Sequence, residues 1–286
     1  MYSWMVRMEI IRADFYATCF GVDRALKITN DALKSENELF CYGELIHNND
    51  VMENLERKGL HIVNDLKDLK DSNLVIRSHG VGHSVYDYCM KNNIRIIDAT
   101  CPKVRRIHGI VRQQCEAGYD IIIFGNKNHP EIEGIKGWCE NSVYIYSDLN
   151  EYKTNHKHDE KKTCIVFQTT YHINKYNEIK EYFYSLNNNA IIVKDTVCRA
   201  TELRQEAARK LAVVCDSVLV IGGKQSSNTK KLYEICKELC ENTHWLENSD
   251  KIPYDLIKNS KKIGITAGAS TPLEIVEEVI VNVRTK

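Results

Sequence analysis

Short apolar runs alternate along the chain with longer segments whose apolar positions recur every three or four residues, so the sequence predicts strands and helices in turn. Three runs close on a cysteine: MEIIRADFYATC ends at Cys19, IRIIDATC at Cys101 and AIIVKDTVC at Cys198. Each is followed by a helical pattern, GVDRALKITNDALK, PKVRRIHGIVRQQC and RATELRQEAARKLAVV respectively. A cysteine at the carboxyl end of a strand stands where open parallel sheets place their binding crevices.

The steps that follow each cysteine are regular. Twenty-eight residues on lie His47, His129 and Ser226, closing ELFCYGELIHN, DIIIFGNKNHP and SVLVIGGKQSSN. A further strand in each third ends in hydrogen-bonding side chains: NLVIRSHG at His79, TCIVFQTT at Thr169 and Thr170, KKIGITAGAS at Ser270. His79, Thr169 and Ser270 lie 60, 68 and 72 residues past their cysteines. The chain therefore reads as three copies of one α/β unit. Lobe 1 is expected over 20–101, lobe 2 over 102–198 and lobe 3 over 199–286, with the strand in 1–19 completing the third lobe. Parallel sheets with right-handed crossovers follow from the alternation. The predicted architecture is three similar α/β lobes with small parallel sheets, set as a pseudo-threefold trefoil around a central site. Pro102, Pro130 and Pro272 fall just after candidate site residues, where proline suits a helix start. Helix N-termini there would favour an anionic ligand.

Composition narrows the chemistry. Basic and acidic residues number 39 each, so the formal net charge is zero, and neither a nucleic-acid nor a membrane-surface footprint is expected. No apolar run reaches the roughly 18 residues of a spanning helix. The start MYSWMVRMEI lacks the apolar core of a signal peptide. The expected location is cytoplasmic, with the first seven residues an extension. Eleven cysteines, an odd number, predict reduced thiols and no disulfide framework. Cys115, Cys215, Cys236 and Cys240 in helix-like patterns, and Cys41 and Cys164 in strand-like runs, are expected as small buried hydrophobes; Cys89 and Cys139 are left undecided, with the same reading favoured. Cys236 and Cys240 stand four apart as a metal clamp would, without a further ligand nearby in sequence.

Cys19, Cys101 and Cys198 are then a candidate ligand set. A closed structural zinc site wants four ligands, commonly in close pairs, which these three lack. A [4Fe–4S] cluster on three thiolates leaves one iron open to a substrate oxygen, and a catalytic zinc on three cysteines satisfies the same count. His47, His79, His129, Thr169, Ser226, Ser227, Asn228 and Ser270 are polar groups suited to a phosphate or diphosphate. Singly, each also reads as a helix cap or a satisfied buried group; recurrence at equivalent places is what marks them. Glu131, two residues past His129 in a first helical turn, is the carboxylate among these elements and the candidate proton carrier, whereas Glu133 is expected to point elsewhere. His108 and Arg24 read as local supports, and Asp98 and Asp195 as holding the loops before Cys101 and Cys198.

At these residues the chain resembles the 4-hydroxy-3-methylbut-2-enyl diphosphate reductase family of the non-mevalonate isoprenoid pathway. The stretches are CFGVDRA (19–25), HNND (47–50), SHGVG (78–82), DATCPKV (98–104), HPEIEG (129–134), QTT (168–170), DTVCRATELRQEA (195–207), SSNT (226–229) and TAGAST (266–271). They run in order over nearly the whole chain. The resemblance implies a trefoil fold with one cysteine per lobe on a [4Fe–4S] cluster: Cys19, Cys101 and Cys198. It implies a substrate pocket of His47, His79, His129, Thr169, Ser226, Ser227, Asn228 and Ser270, and proton delivery by Glu131. It also implies reductive removal of an allylic hydroxyl to give isopentenyl and dimethylallyl diphosphate, with electrons from ferredoxin or flavodoxin. One departure stands before the first cysteine, where Tyr16-Ala17-Thr18 replaces the family's usual glycine-aromatic pair. Quinolinate synthase resembles the same plan of three lobes and three cysteines, but its motifs differ. A non-catalytic iron–sulfur protein and a zinc hydrolase are the readings from other classes.

Overall fold

The computed structural model describes residues 8–36, 38–156 and 161–285, so the expected seven-residue extension lies outside the described residues. The chain runs β1 (Glu9–Arg12), α1 (Phe20–Ser35), β2 (Leu39–Tyr42), α2 (Asn49–Arg57), β3 (Leu60–Val63), β4 (Asn73–Ile76), α3 (His83–Lys91) and β5 (Arg95–Asp98). It continues through α4 (Pro102–Glu116), β6 (Asp120–Phe124), α5 (Pro130–Lys136), β7 (Val143–Tyr146), α6 (Leu149–Asn155), β8 (Thr163–Phe167), α7 (Ile173–Ser185) and β9 (Ile191–Val193). The last stretch holds α8 (Arg199–Val214), β10 (Ser217–Ile221), α9 (Ser227–Leu239), β11 (Thr243–Leu246), α10 (Tyr254–Ile257), β12 (Lys262–Ala267) and α11 (Leu273–Thr285).

The strands form three parallel four-stranded sheets, ordered β3-β2-β4-β5, β7-β6-β8-β9 and β11-β10-β12-β1. The order is the same each time, so β1 holds in the third sheet the edge place that β5 and β9 hold in the others. Glu9 pairs with Lys262 and Arg12 with Ile265.

Two compact units are formed. The smaller contains the stretch ending at Cys19, His47–Asn49 and everything from Arg199 onward; the larger contains Phe20–Ile46 and Asp50–Cys198. In the larger unit, the period-two pleat of the second sheet sends alternate side chains into two cores. Ile122, Phe124, Ile165 and Phe167 join Leu149 and Tyr152 of α6 and Tyr176, Ile179 and Phe183 of α7. Ile121, Ile123, Cys164 and Val166 join Ile107 and Val111 of α4 and Ile132 and Ile135 of α5. The smaller unit divides likewise. Leu219, Ile221, Ile263 and Ile265 pack on Val276, Val279, Ile280 and Val283 of α11, while Val218 and Val220 pack on Ala208, Leu211 and Ala212 of α8 and Leu232 of α9. Central strands buried on both faces explain the unbroken apolar runs DIIIF, TCIVF and SVLVI.

One cysteine expectation is corrected. Cys115 and Cys139 form a disulfide, joining the end of α4 to the segment after α5. The two helices pack side by side on one sheet face, a tertiary neighbourhood that spacing along the chain does not reveal. Cys41, Cys89, Cys164, Cys215, Cys236 and Cys240 are free and buried, as their apolar surroundings suggest. A clamp by Cys236 and Cys240 is not formed: α9 ends at Leu239, and the Cys240 thiol donates to the Cys215 carbonyl at 3.6 Å. Burial pushes the Cys236 thiol up to about 12.

Candidate active site

Among the free cysteines, Cys19, Cys101 and Cys198 are half-exposed, whereas the other six are buried. Their local setting repeats. Each cysteine directly precedes a helix: Cys19 before α1, Cys101 before α4 and Cys198 before α8. Each donates its backbone N–H to the carbonyl two residues beyond the third strand of a sheet. Cys19 bonds Ala269 at 3.0 Å, Cys101 bonds Ser78 at 3.0 Å and Cys198 bonds Thr169 at 2.9 Å. A strand end and a helix start thus fix the backbone of each thiol, and the helix's free N–H groups favour negative charge there. Three accessible thiols in equivalent places, with no fourth half-exposed free cysteine, fit a cluster that leaves one iron without a protein thiolate.

The loops before the cysteines are held as the sequence anticipates. Asp98 Oδ1 accepts from Thr100 N–H at 2.9 Å, and its Oδ2 accepts from the Tyr86 hydroxyl at 3.2 Å and from Arg105 at 2.7 Å. Asp195 is hydrogen-bonded by Tyr176, the same position on α7 as Tyr86 on α3. Arg24 donates to the carbonyls of Thr100 and Asp98 at 3.1 and 3.5 Å. Arg204, which sequence reasoning did not single out, donates to the carbonyls of Ala17 and Thr18 at 2.5 and 3.2 Å. Its signal was a buried arginine on the helix that follows another cysteine, visible only after folding.

In the larger unit four of the polar candidates converge. His129 caps α5, its Nδ1 accepting the Glu131 N–H at 3.1 Å. In the neutral ring the proton therefore sits on Nε2. The His79 ring stands edge-on to the His129 ring at 5.4 Å. Glu131 is 2% exposed and accepts from the Thr169 N–H and the Thr169 hydroxyl, each at 2.6 Å. Glu133 points away, 78% exposed and 3.7 Å from Arg77.

Close backbone approach sets this arrangement. A Cβ on Gly137, after α5, would come within 2.5 Å of Gly82 Cα, so α5 can lie against the SHGVG turn only with glycine there. Gly80 has φ 71°, and a Cβ there would meet the His108 ring at 2.4 Å. His108 fills that space, stacked on Trp138 at 5.1 Å, while Trp138 Nε1 donates to the Val81 carbonyl at 2.9 Å. Burial holds the His108 imidazole down at about 4. The support role expected for His108 is thus packing beneath the His79 turn.

In the smaller unit Ser226 caps α9, accepting from Thr229 N–H at 3.2 Å, and the Ser227 hydroxyl accepts from Lys231 at 3.1 Å. Ser270 donates to the His47 carbonyl at 3.0 Å, joining two recurrent elements. Gly223 lets β10 reach that carbonyl, since its Cβ would lie 2.7 Å from it. Asn228 is 4% exposed, yet neither Oδ1 nor Nδ2 has a partner among the described residues. A buried amide with both ends unmet leaves a donor and an acceptor free for a water or a ligand. Gln168, of the QTT stretch, is a further residue that sequence reasoning assigns no role: its Oε1 accepts from Asn126 N–H at 3.1 Å, tying the ends of β6 and β8.

Comparisons agree with these features. Residues 10–284 match the family model described as LytB protein. The 4-hydroxy-3-methylbut-2-enyl diphosphate reductase of Caldanaerobacter subterraneus subsp. tengcongensis is 41% identical over 282 residues, 97% of each chain. That of Clostridioides difficile is 41% identical over 264 residues, 92% of this chain and 94% of the relative. The solved E-1-hydroxy-2-methyl-but-2-enyl-4-diphosphate reductase from Plasmodium falciparum matches with a TM-score of 0.91 at 28% identity, covering 98% of this chain and 89% of that one. With its motifs, its three like sheets and its full-length relatives in agreement, this chain belongs to the LytB protein family.

Proposed function

We propose that the protein is a 4-hydroxy-3-methylbut-2-enyl diphosphate reductase, removing the allylic hydroxyl as water with two electrons and two protons. The products are isopentenyl and dimethylallyl diphosphate. The observation that carries this reading is the threefold recurrence of a half-exposed cysteine before a helix, its N–H bonded beyond a strand end. Cys19, Cys101 and Cys198 would hold a [4Fe–4S] cluster, one from each lobe of the expected 20–101, 102–198 and 199–286 division, with 1–19 completing the third. When bound, such a cluster supplies the electrons and a Lewis-acidic iron. A ferredoxin or flavodoxin is the proposed electron source. Among the described residues no helix is long and apolar enough to cross a membrane, and zero net charge gives no nucleic-acid footprint, which agrees with a cytoplasmic enzyme on a small anionic substrate.

The chain's own residues divide the remaining work. Asn228 offers an unmet donor and acceptor, and Ser226, Ser227, Ser270 and His47 supply further polar groups for the diphosphate. His79, His129 and Thr169 are further pocket residues in this reading, with His129 Nε2–H a donor to an anion. The Thr169 hydroxyl donates to Glu131 Oε2; a protonated Glu131 would reverse that bond, donating to the hydroxyl oxygen and freeing the hydroxyl proton for substrate.

The test is anaerobic: purify the protein, measure iron and sulfide, then follow reduced methyl viologen with 4-hydroxy-3-methylbut-2-enyl diphosphate. Dye consumed only with substrate supports the assignment; a cluster-loaded protein without turnover overturns it. C101S should lose cluster iron, and full retention of iron would remove Cys101 from the ligand set.

A further inference from the structure

The geometry points to Arg24 and Arg204 as positioning residues for Cys101 and Cys19, an inference that rests on the cluster assignment above. The peptide group joining Thr100 to Cys101 is gripped at both polar ends. Its carbonyl accepts from Arg24 at 3.1 Å and its N–H donates to Ser78 at 3.0 Å. The peptide joining Thr18 to Cys19 is gripped the same way, its carbonyl by Arg204 at 3.2 Å and its N–H by Ala269 at 3.0 Å. A peptide is planar, so holding both ends fixes the cysteine's N–Cα bond, about which its side chain is carried.

Arginine suits this because its planar fork reaches two carbonyls at once. Arg24 spans those of Thr100 and Asp98 with Nη1 and Nη2, whereas Arg204 reaches those of Ala17 and Thr18 through Nη2 and that of Ala200 through Nη1. Each arginine also comes from the helix opened by a different cysteine. Arg24 lies on α1 after Cys19 and holds the Cys101 loop; Arg204 lies on α8 after Cys198 and holds the Cys19 loop. The position on α4 that matches Arg24, five residues after Cys101, is Arg106, and it is exposed. The Cys198 loop is pinned by Thr196 instead, whose hydroxyl donates to the Phe167 carbonyl at 2.8 Å and accepts from its N–H at 2.7 Å.

The Tyr16-Ala17-Thr18 departure is compatible with this grip, which uses backbone carbonyls alone. None of the three has positive φ, so the loop needs no glycine, and Arg204 holds it in place. Tyr16 itself packs against the core of the smaller unit. A guanidinium on the carbonyl next to a ligand also places positive charge beside an anionic cluster, which favours its reduced state.

The experiment uses anaerobically prepared holoprotein and reads midpoint potential by electron paramagnetic resonance titration, and iron release to a ferrous chelator. R24Q and R204Q are expected to lower the potential and release iron about tenfold faster or more, the scale for losing a group that orients a metal ligand. R24K keeps the charge but not the fork, so it should retain the potential while iron release accelerates. R106Q should match the parent in both. Arg204 is 5% exposed, and if R204Q does not accumulate, R204K and R24Q carry the same comparison. Iron-loaded parent protein beside unaltered R24Q would overturn this inference alone. Parent protein that holds no iron would overturn the cluster assignment and this inference with it.

Discussion

Thr169 binds Glu131 twice, through its N–H to Oε1 and its hydroxyl to Oε2, both at 2.6 Å. The carboxylate sits on α5 and the threonine at the end of β8, so the pair joins two of the recurrent elements into one unit that holds an acid still. An amide at position 131 can accept from the N–H and donate to the hydroxyl, so E131Q should fold normally. We expect it to bind substrate much as the parent does and to lose turnover by roughly 10² or more. T169V should lose less turnover than E131Q and shift its pH dependence. Single-turnover kinetics with substrate titration separates binding from chemistry, and an E131Q enzyme of unchanged turnover would assign the proton elsewhere.

Asn228 makes an opposite prediction about stability. Because its buried amide has no partner among the described residues, N228A breaks none of their hydrogen bonds, and unfolding free energy should stay within about 0.5 kcal/mol of the parent. The substrate should bind about tenfold more weakly or worse. Denaturant unfolding beside calorimetric titration with the diphosphate checks both halves. A large stability loss with intact binding would make Asn228 a structural residue.

His108 gives the fold a pH dependence of known sign. Its folded value is held at about 4 by burial, against an ordinary 6.5, with the Asp98 carboxylate pulling weakly the other way. Between these values the unfolded chain binds a proton that the folded protein refuses. Stability is therefore full above 6.5 and falls as pH drops toward 4. The loss between pH 7.5 and pH 5 should be about 2 kcal/mol, and H108Q, which cannot titrate, should lack it. Urea unfolding of both proteins at the two pH values is the check; equal slopes would remove His108 as the source.

The Cys115–Cys139 disulfide staples the far ends of α4 and α5, helices whose N-termini follow Cys101 and carry Glu131. A closure spanning 24 residues should stabilise by about 3 kcal/mol. Thiol counting under denaturing conditions should find two more thiols after reduction, and the reduced protein should melt earlier. A C115A/C139A protein should melt at the temperature of the reduced parent and be insensitive to reductant.

The sequence alone determined the repeating plan and singled out the candidate reactive groups. Strand and helix periods, the common step of 28 residues from each cysteine, and prolines at helix starts are local properties, written in the order of residues. They single out Cys19, Cys101, Cys198 and Glu131 as candidates, because strand ends in parallel sheets are where such groups gather. Only the tertiary structure decided which polar groups meet. The Glu131–Thr169 pair, the Arg204 grip on the Cys19 loop and the unmet amide of Asn228 depend on elements far apart in the chain packing within a few ångströms. The Cys115–Cys139 bond is the sharpest case: two residues that each read as buried apolar thiols become a covalent pair because α4 and α5 share one face of a sheet. Side-chain type is a property of the sequence, but distance between side chains is a property of packing.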